Sequence, residues 1–388
     1  MTLAHNDTES NHLLEIEAYG QSIWMDNLTR DLVQSGELKR MIVSRGLLGI
    51  TSNPAIFEKA IVGNKTYDAA IEAAAADRKS TMEIYESLIF EDIRQACDIF
   101  YPVYEQSGGQ DGYISIEVPP NIAHDTQQTI EEARRYYREI GKPNVMIKIP
   151  GTSAGLPAVE QVISEGINVN VTLLFSVQSY IETAWAYIRG LEKRAAQGED
   201  ISKIASVASF FLSRIDSHID GLIDDRLKQG VTDLNTKARL EAVKGKVAIA
   251  NAKIAYEEYK KIIQTDRWQA LVAKGANVQR LLWASTSTKN PAYSDVMYVD
   301  SLIGPDTVNT LPPATIEACA DHCDVANRLE ENLEDAHRLI DSLKDPDIAI
   351  NLDEVMDALL VDGIDKFVQP FHSLMSSLEG KTRLLVTT

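Results

Sequence analysis

Short apolar segments alternate with helical segments along almost the whole chain, and no two of the apolar segments are joined by a hairpin turn. Each has the length and composition of a buried strand. The predicted strands are 22–26, 47–53, 112–118, 144–150, 167–174, 204–212, 278–285 and 297–302. Because parallel strands need long crossover connections, which helices supply, this alternation predicts a parallel sheet.

Eight such strands are expected to close into a (β/α)8 TIM barrel of the α/β class. An open doubly wound sheet is the alternative, but it would want a glycine-rich phosphate turn after its first strand, and no G-x-G-x-x-G or G-x-x-x-x-G-K-[ST] occurs. Extra helices are expected between strands 2 and 3, between strands 6 and 7, and at the C-terminus. Without a long linker or a repeat, residues 1–388 are predicted to form one domain on which the C-terminal helices (about 313–388) pack.

Lys148 lies among apolar residues in the fourth predicted strand, 144–150. Lysine is almost never buried unless it has a partner or a function. Burial disfavours an ammonium ion, and a buried amine can act as a nucleophile that forms a Schiff base with a carbonyl substrate. A lysine in such a strand can also pair with a carboxylate or extend out of an edge strand, and the strand alone does not decide between these interpretations.

In the other predicted strands, mostly polar side chains occupy the alternate positions that should face the same way as Lys148. Because strand side chains alternate between two faces, these positions are expected to point into the barrel. Nearly all of these residues lie toward the carboxyl ends of the strands, where barrel enzymes place catalysis. The set is Trp24, Asp26, Thr51, Asn53, Ser115, Glu117, Asn168, Asn170, Thr172, Ser209 and Phe211. Any one of them could merely bond a neighbour inside the barrel, but together with Lys148 they indicate an active site.

The charge of the chain bears on its partners. With 57 acidic and 38 basic residues, the formal net charge is -19. So acidic a surface repels nucleic acid and anionic membranes, and neither is expected as a partner. Arg214 and Lys289, just beyond strands six and seven, could still form a local phosphate site, although each alone is more often a surface ion pair.

None of the seven histidines falls at a predicted strand end, where a metal-dependent barrel would normally need some. We therefore expect no metal and no cofactor. Three scattered cysteines make no disulfide framework and fit a reducing cytoplasm. The N-terminus lacks the features of a signal peptide, and no apolar run approaches the roughly 20 residues that span a bilayer. A cytoplasmic localisation is expected.

A series of motifs between about residues 47 and 313 resembles the transaldolase family. They are GITSNPAIF, ISIEV, MIKIPGT, GINVNVTLLFS, ASFFLSRID, LLWASTSTKNPAYSD and YVDSLIGPDTVNTLPP. The chain length and the K-I-P-G-T sequence are similar to a longer bacterial branch. The resemblance implies transfer of a dihydroxyacetone unit from a ketose phosphate (sedoheptulose 7-phosphate or fructose 6-phosphate) to an aldose phosphate (glyceraldehyde 3-phosphate or erythrose 4-phosphate) in the non-oxidative pentose phosphate pathway.

The same resemblance implies a role for each matching residue. Lys148 would form the Schiff base, and Asp26 would move the proton of the substrate hydroxyl during C–C cleavage. Glu117 and Thr172 would hold the water that relays protons. The substrate-binding set would be Thr51, Asn53, Asn170, Ser209, Phe211, Arg214 and Lys289. Shorter members carry an arginine after A-S-F in the seventh strand, whereas this chain has A-S-T-S-T followed by Lys289, a point charge in place of a planar fork.

Two other functions stay open. Fructose 6-phosphate aldolases share the fold and the lysine but release free dihydroxyacetone. They resemble a shorter barrel with a glutamine at the position of Glu117 and a tyrosine at that of Phe211, and this chain has neither. A non-catalytic phosphosugar-binding barrel would have no need to keep Asp26, Lys148 and Glu117 together. The oligomeric state is left open, with a homodimer as one option.

Overall fold

Eight parallel strands close into a barrel in which each strand pairs with its sequence neighbours and the first pairs with the last. The structure is a computed structural model that describes residues 11–386. The strands are β1 (Gln21–Asp26), β2 (Gly49–Thr51), β3 (Tyr113–Glu117), β4 (Val145–Pro150), β5 (Val169–Leu174), β6 (Ser206–Phe211), β7 (Gln279–Ala284) and β8 (Thr307–Leu311). The predicted (β/α)8 barrel is confirmed, and because it is closed, the open doubly wound alternative is excluded.

Helices surround the barrel and include the extra ones that the sequence predicts. Those up to β4 are α1 (His12–Ile16), α2 (Arg30–Gln34), α3 (Glu37–Arg45), α4 (Pro54–Ile61), α5 (Asp68–Ala76), α6 (Thr81–Gln106) and α7 (Thr126–Ile140). Those up to β7 are α8 (Gly155–Ser164), α9 (Val177–Ala196), α10 (Ser213–Lys228), α11 (Leu234–Val243), α12 (Val247–Ile263) and α13 (Asp266–Val272). The last are α14 (Met297–Asp300), α15 (Pro313–His322), α16 (Leu333–Ser342) and α17 (Leu352–Val386). Short 3-10 turns lie at Glu17–Tyr19, Lys65–Tyr67 and Pro120–Ile122.

The prediction of the eighth strand at 297–302 is wrong. That stretch holds the short helix α14, and the strand follows at Thr307–Leu311. The buried apolar residues around α14 are Tyr298, Val299, Leu302 and Ile303. Their spacing is that of one helix face, and the apolar composition alone does not distinguish this from a buried strand. The true strand, TVNTL, has three polar residues among its five and so lacks the apolar run of its neighbours.

The C-terminal helix α17 lies against the carboxyl end of the barrel. It contacts α4, α5, α6 and α10 as well as β5. The ring of Phe371 packs edge-on against that of Tyr85, with centroids 5.5 Å apart, and Lys381 forms an ion pair with Asp68. The last two residues of the predicted C-terminal region lie outside the described residues. No helix within residues 11–386 is long and apolar enough to cross a membrane.

A polar cluster lies at the amino-terminal end of the barrel. Arg280 of β7 donates hydrogen bonds to Ser22 Oγ (2.7 Å) and Asp111 Oδ1 (2.9 Å). The indole Nε1 of the fully buried Trp24 donates to the same carboxylate oxygen, also over 2.9 Å. A Cβ on Gly49 would lie 2.6 Å from the indole ring, so only glycine leaves room for it. Trp24 points inward as predicted, but it fills the barrel below the site.

Candidate active site

A cavity of about 570 Å³ opens at the carboxyl ends of the strands. It is bordered by the ends of several strands, one face of α4, the loop after β7 and one residue of α17. Eight of the predicted site residues line it, namely Asp26, Thr51, Asn53, Lys148, Ser209, Phe211, Arg214 and Lys289. The other three, Glu117, Asn170 and Thr172, are buried on β3 and β5, the strands that flank the lysine strand.

Lys148 points into the barrel, as predicted, and is only 4% exposed. Its Nζ donates a hydrogen bond to the backbone carbonyl of Ser52 (3.3 Å) and lies 3.8 Å from Glu117 Oε2. Glu117 and Lys148 are register partners on β3 and β4. Since a closed barrel has no edge strand, the interpretation that Lys148 extends from a sheet edge is excluded. The carboxyl group nearest to its amine is that of Glu117.

Glu117 is a buried carboxyl group whose two oxygens have no hydrogen-bond partner among the described residues. Burial raises the pKa of Glu117 to about 7, although Lys148 and Arg214 act in the opposite direction. The group can therefore both accept and donate a proton near neutral pH, which is the property that acid–base catalysis requires.

Thr172 lies where β5 departs from regular geometry. The pairing of β5 with β6 shifts register between Val171 and Leu174, and Leu173 has φ +60°. A left-handed conformation strains a residue with a bulky side chain, and such strain concentrates at functional sites. The hydroxyl of Thr172 is buried and has no hydrogen-bond partner among the described residues.

Asp26 is held by a chain of hydroxyl groups. Thr51 Oγ1 donates to Asp26 Oδ1 over 2.7 Å and lies 2.6 Å from the hydroxyl of Thr310. Burial raises the pKa of Asp26, and Lys148, the Thr51 hydrogen bond and the cations of the cavity oppose that rise. Asp26 is therefore oriented by its neighbours and holds a proton more readily than an exposed aspartate.

Amide and hydroxyl groups on β3, β5 and β6 form a connected row. Ser209 Oγ donates to Asn170 Oδ1 (2.7 Å), and Asn170 Nδ2 donates to Ser115 Oγ (3.1 Å). Asn53 caps α4 by accepting the Ile56 N–H, which fixes the side chain beside the cavity. Asn168, in contrast, bonds backbone groups of neighbouring strands and does not line the cavity.

The two predicted cations both line the cavity. Arg214 lies in the first turn of α10, and its buried Nη1 has no hydrogen-bond partner in the described chain. Its guanidinium lies 5.2 Å from the ring centroid of Phe211, and burial lowers the pKa of Arg214. Lys289 Nζ donates to Ser287 Oγ over 2.6 Å. Burial and the nearby charges of Arg214 and Lys59 lower the pKa of Lys289.

Lys59 is a third cation in the cavity wall, and it was not among the predicted site residues. It is exposed on α4, and the structure gives it no hydrogen bond or ion pair within residues 11–386. Ile56 lines the cavity from the same helix, three residues earlier. Residues three apart share a helix face, so the sequence carried a signal for Lys59 once Asn53 was placed at the strand end.

Phe367 was missed as well, and it is the residue by which α17 enters the cavity. Its ring centroid lies 5.5 Å from Lys148 Nζ and 6.0 Å from the guanidinium carbon of Arg214. No local motif marks it, because its place depends on how a distant helix packs.

Two aspartates of α10 hold the segments that follow β7. Tyr293, in the loop that carries Lys289, donates its hydroxyl proton to Asp220 Oδ2 over 2.7 Å, and the Gly245 N–H donates to Oδ1 over 3.0 Å. A Cβ on Gly245 would lie 2.6 Å from the Tyr293 ring. Asp216 accepts the hydroxyl proton of Tyr298 of α14 (2.9 Å). The helix α10, which carries Arg214 in its first turn, thus also fixes the loop that carries Lys289.

Among residues 11–386 no group of three or more His, Cys, Asp or Glu side chains is arranged to hold a metal ion. Of the seven histidines, His5 lies outside the described residues, and none of the other six lines the cavity.

Comparison with known proteins gives concordant matches. The family model described as Transaldolase/Fructose-6-phosphate aldolase matches residues 23–378. The chain is 74% identical over 375 residues to "Transaldolase 2" of Nostoc sp. (strain PCC 7120), covering 97% of this chain and 98% of that protein. It is 73% identical over 376 residues to the "Transaldolase" of Trichodesmium erythraeum, covering 97% and 99%. It is 43% identical over 366 residues to the "Transaldolase" of Neisseria gonorrhoeae, covering 94% and 99%. With such identity over nearly its whole length, the chain belongs to the transaldolase family.

Proposed function

We propose that the chain transfers a dihydroxyacetone unit from a ketose phosphate to an aldose phosphate through a Schiff base on Lys148. The observation that carries this proposal is the position of the lysine amine. It is buried at the base of a cavity, 3.8 Å from a carboxyl group whose pKa is about 7. A carbonyl carbon that reaches this amine meets a nucleophile and a proton carrier together.

The neighbouring groups have distinct roles in the proposed reaction. Lys148 Nζ attacks the ketose carbonyl, and Glu117, with the hydroxyl of Thr172, delivers the proton with which the carbonyl oxygen leaves as water. Asp26 then takes the proton of the substrate hydroxyl next to the bond that breaks, so that the first aldose departs with a carbonyl group. The electron pair of the broken bond stays on the three-carbon fragment bound to Lys148.

The connected row of amide and hydroxyl groups and the three cations are suited to bind the two ends of the substrate. Asn170 and Ser209, with Asn53 and Thr51, present amide and hydroxyl groups suited to the dihydroxyacetone hydroxyls. Arg214, Lys289 and Lys59 surround the outer part of the cavity, and charge-assisted contacts of this kind favour a phosphate. Sedoheptulose 7-phosphate and fructose 6-phosphate are the proposed donors, and glyceraldehyde 3-phosphate and erythrose 4-phosphate the proposed acceptors, as in the non-oxidative pentose phosphate pathway.

Two features favour transfer over release of free dihydroxyacetone. Position 117 is glutamate and not glutamine, and position 211 is phenylalanine and not tyrosine. The ring of Phe211 packs 5.3 Å from that of Phe175 and brings no hydroxyl to the cavity. A non-catalytic sugar-binding barrel is less well supported, because it does not require Asp26, Glu117 and Lys148 in one cavity. A cytoplasmic site of action fits the three cysteines, which are all free thiols.

The test is covalent trapping. With fructose 6-phosphate present, borohydride should inactivate the protein and leave one reduced dihydroxyacetone unit on the peptide that contains Lys148. Borohydride alone should leave the protein active. Lys148→Arg keeps the charge but cannot form the imine, so it should fold and lose nearly all transfer to erythrose 4-phosphate.

Lys253 offers a matched control. It is also largely buried, but its Nζ donates to the backbone carbonyl of Glu331, away from the cavity. Lys253→Arg should keep its transfer activity. An adduct on another lysine, or an active Lys148→Arg protein, would overturn the proposal.

A further inference from the structure

We propose that Phe367 is a specificity-determining residue that favours transfer of the three-carbon fragment over its release. The inference rests on the proposed function. The ring belongs to α17, far from Lys148 in the sequence, and it lines the same cavity, with its centroid 5.5 Å from the lysine amine.

The position of the ring allows it to exclude water. Phe367 is 4% exposed, and its ring centroid lies 5.5 Å from Lys148 Nζ. The guanidinium of Arg214 lies 6.0 Å from the same centroid. The ring therefore lies near both the proposed Schiff-base nitrogen and the proposed phosphate cation, and a smaller side chain at this position would leave room for water beside them.

The packing of α17 on both sides of Phe367 fixes the ring. One helical turn earlier, a Cβ on Gly363 would lie 3.0 Å from Leu173 Cδ2 and 3.5 Å from Arg214 Nη1. The absence of a side chain there lets α17 come close to the end of β5. One turn later, Phe371 packs its ring against that of Tyr85. The helix is thus held at two points, with Phe367 between them.

Apolar rings and proton carriers both lie near the amine. The rings of Phe367 and Phe211 line the same cavity as Lys148 and Asp26, and the centroid of the Phe367 ring lies 5.5 Å from Lys148 Nζ. A carboxylate oxygen of Glu117 lies 3.8 Å from the same nitrogen. Apolar surface next to the proposed Schiff base restricts the directions from which protons can reach the covalent intermediate.

The two possible fates of the covalent three-carbon fragment explain why access of protons to it matters. After C–C cleavage the fragment is an enamine on Lys148 Nζ, with electron density on the carbon that lost the aldose. In transfer, that carbon forms a new C–C bond with the acceptor aldehyde, whose oxygen takes a proton, and water then hydrolyses the iminium. In release, the same carbon takes a proton instead, water adds to the iminium carbon, and the C–N bond breaks to give dihydroxyacetone and the free amine. Limiting protonation of the carbon therefore favours transfer.

The experiment compares Phe367→Ala with Leu378→Ala. Leu378 lies about three turns along the same helix and is also buried, but it does not line the active-site cavity and does not pack beside Phe367 in the helix. Free dihydroxyacetone and the ketose product are quantified after incubation with fructose 6-phosphate and erythrose 4-phosphate. Phe367→Ala should raise the ratio of release to transfer by about tenfold, the effect of a change of about 1.4 kcal/mol in the relative barriers. Leu378→Ala should lower the melting temperature and leave the ratio unchanged.

Phe367→Leu provides a second variant in case the alanine protein does not fold, and it should show a smaller rise in the same ratio. The lifetime of the covalent fragment without acceptor, followed by borohydride trapping over time, should shorten in both Phe367 variants. An unchanged ratio and lifetime in the folded variants would overturn the inference. If the wild-type protein instead forms no adduct on Lys148, the proposed function itself fails.

Discussion

The carboxyl group of Glu117 has different proton affinities in the folded and the unfolded chain. Burial raises its pKa from an ordinary 4.5 to about 7. The folded protein therefore binds more protons than the unfolded chain between these two pH values, and the free energy of unfolding falls as the pH rises through that window. Below about pH 4.5 the free energy of unfolding is not reduced by this group. Above about pH 7 the reduction is complete and amounts to roughly 3 kcal/mol.

Glu117→Gln should remove this pH-dependent fall in the free energy of unfolding, because the amide stays neutral. Urea unfolding at about pH 8 should show the variant more stable than the wild type by up to roughly 3 kcal/mol, and at about pH 4.5 the difference should disappear. The variant should also lose most transfer activity, together with any limb near pH 7 in the kcat/KM profile of the wild type. A stability difference of the same size at both pH values would contradict the assignment.

Single residues differ in how far the sequence could predict them. Lys148 and Asp26 could be placed because strand alternation decides which side chains point into a closed barrel. Lys59 was within reach, since it shares a helix face with Ile56. Phe367 was not, because its contact with Lys148 depends on how α17 packs, and no local pattern encodes such a contact.

At the scale of elements, the loop that carries Lys289 depends on α10 for its position. Tyr293 is the side chain that connects them, through a hydrogen bond of 2.7 Å to Asp220. Tyr293→Phe should loosen the loop and raise KM for fructose 6-phosphate by about three- to tenfold, which corresponds to about 0.7–1.4 kcal/mol, the net contribution of a typical hydrogen bond. Turnover of unphosphorylated fructose should change little, because it makes no use of the cation.

Tyr259→Phe is the matched control for this prediction. The hydroxyl of Tyr259 also donates to a carboxylate, Asp306 Oδ2 at 3.2 Å, but this pair does not line the active-site cavity. KM should stay at the wild-type value in this variant. If Tyr293→Phe affects phosphorylated and unphosphorylated substrates equally, the loop acts on the whole site and not on the phosphate.

The strands show which secondary-structure elements a sequence pattern can predict and which it cannot. Seven strands could be predicted because a buried parallel strand reads as a short apolar run. The stretch 297–302 has the same composition but holds the short helix α14, from which Tyr298 donates a hydrogen bond to Asp216 of α10. The register shift in β5 near Leu173 could not be predicted either, since nothing in the sequence N-V-T-L-L indicates a residue in the left-handed conformation.

At the scale of the whole molecule, apolar packing is continuous. One cluster of buried side chains extends from Leu13 of α1 to Leu378 of α17 and includes the barrel strands. We therefore expect a single calorimetric unfolding transition, as the predicted one-domain organisation requires. A separate transition that a truncation after Asn351 abolishes would show that α17 unfolds independently.

Along β1, Ser22 lines a cavity at the amino-terminal end of the barrel, Asp26 lines the active-site cavity, and the fully buried Trp24 lies between them. The two cavities share no lining residue, so we expect substrates and products to pass through the opening at the carboxyl ends of the strands. In the proposed reaction the three-carbon fragment stays on Lys148, so the departing aldose and the acceptor aldose use this opening in turn. We therefore expect ping-pong kinetics, in which an excess of one aldose competitively inhibits binding of the other.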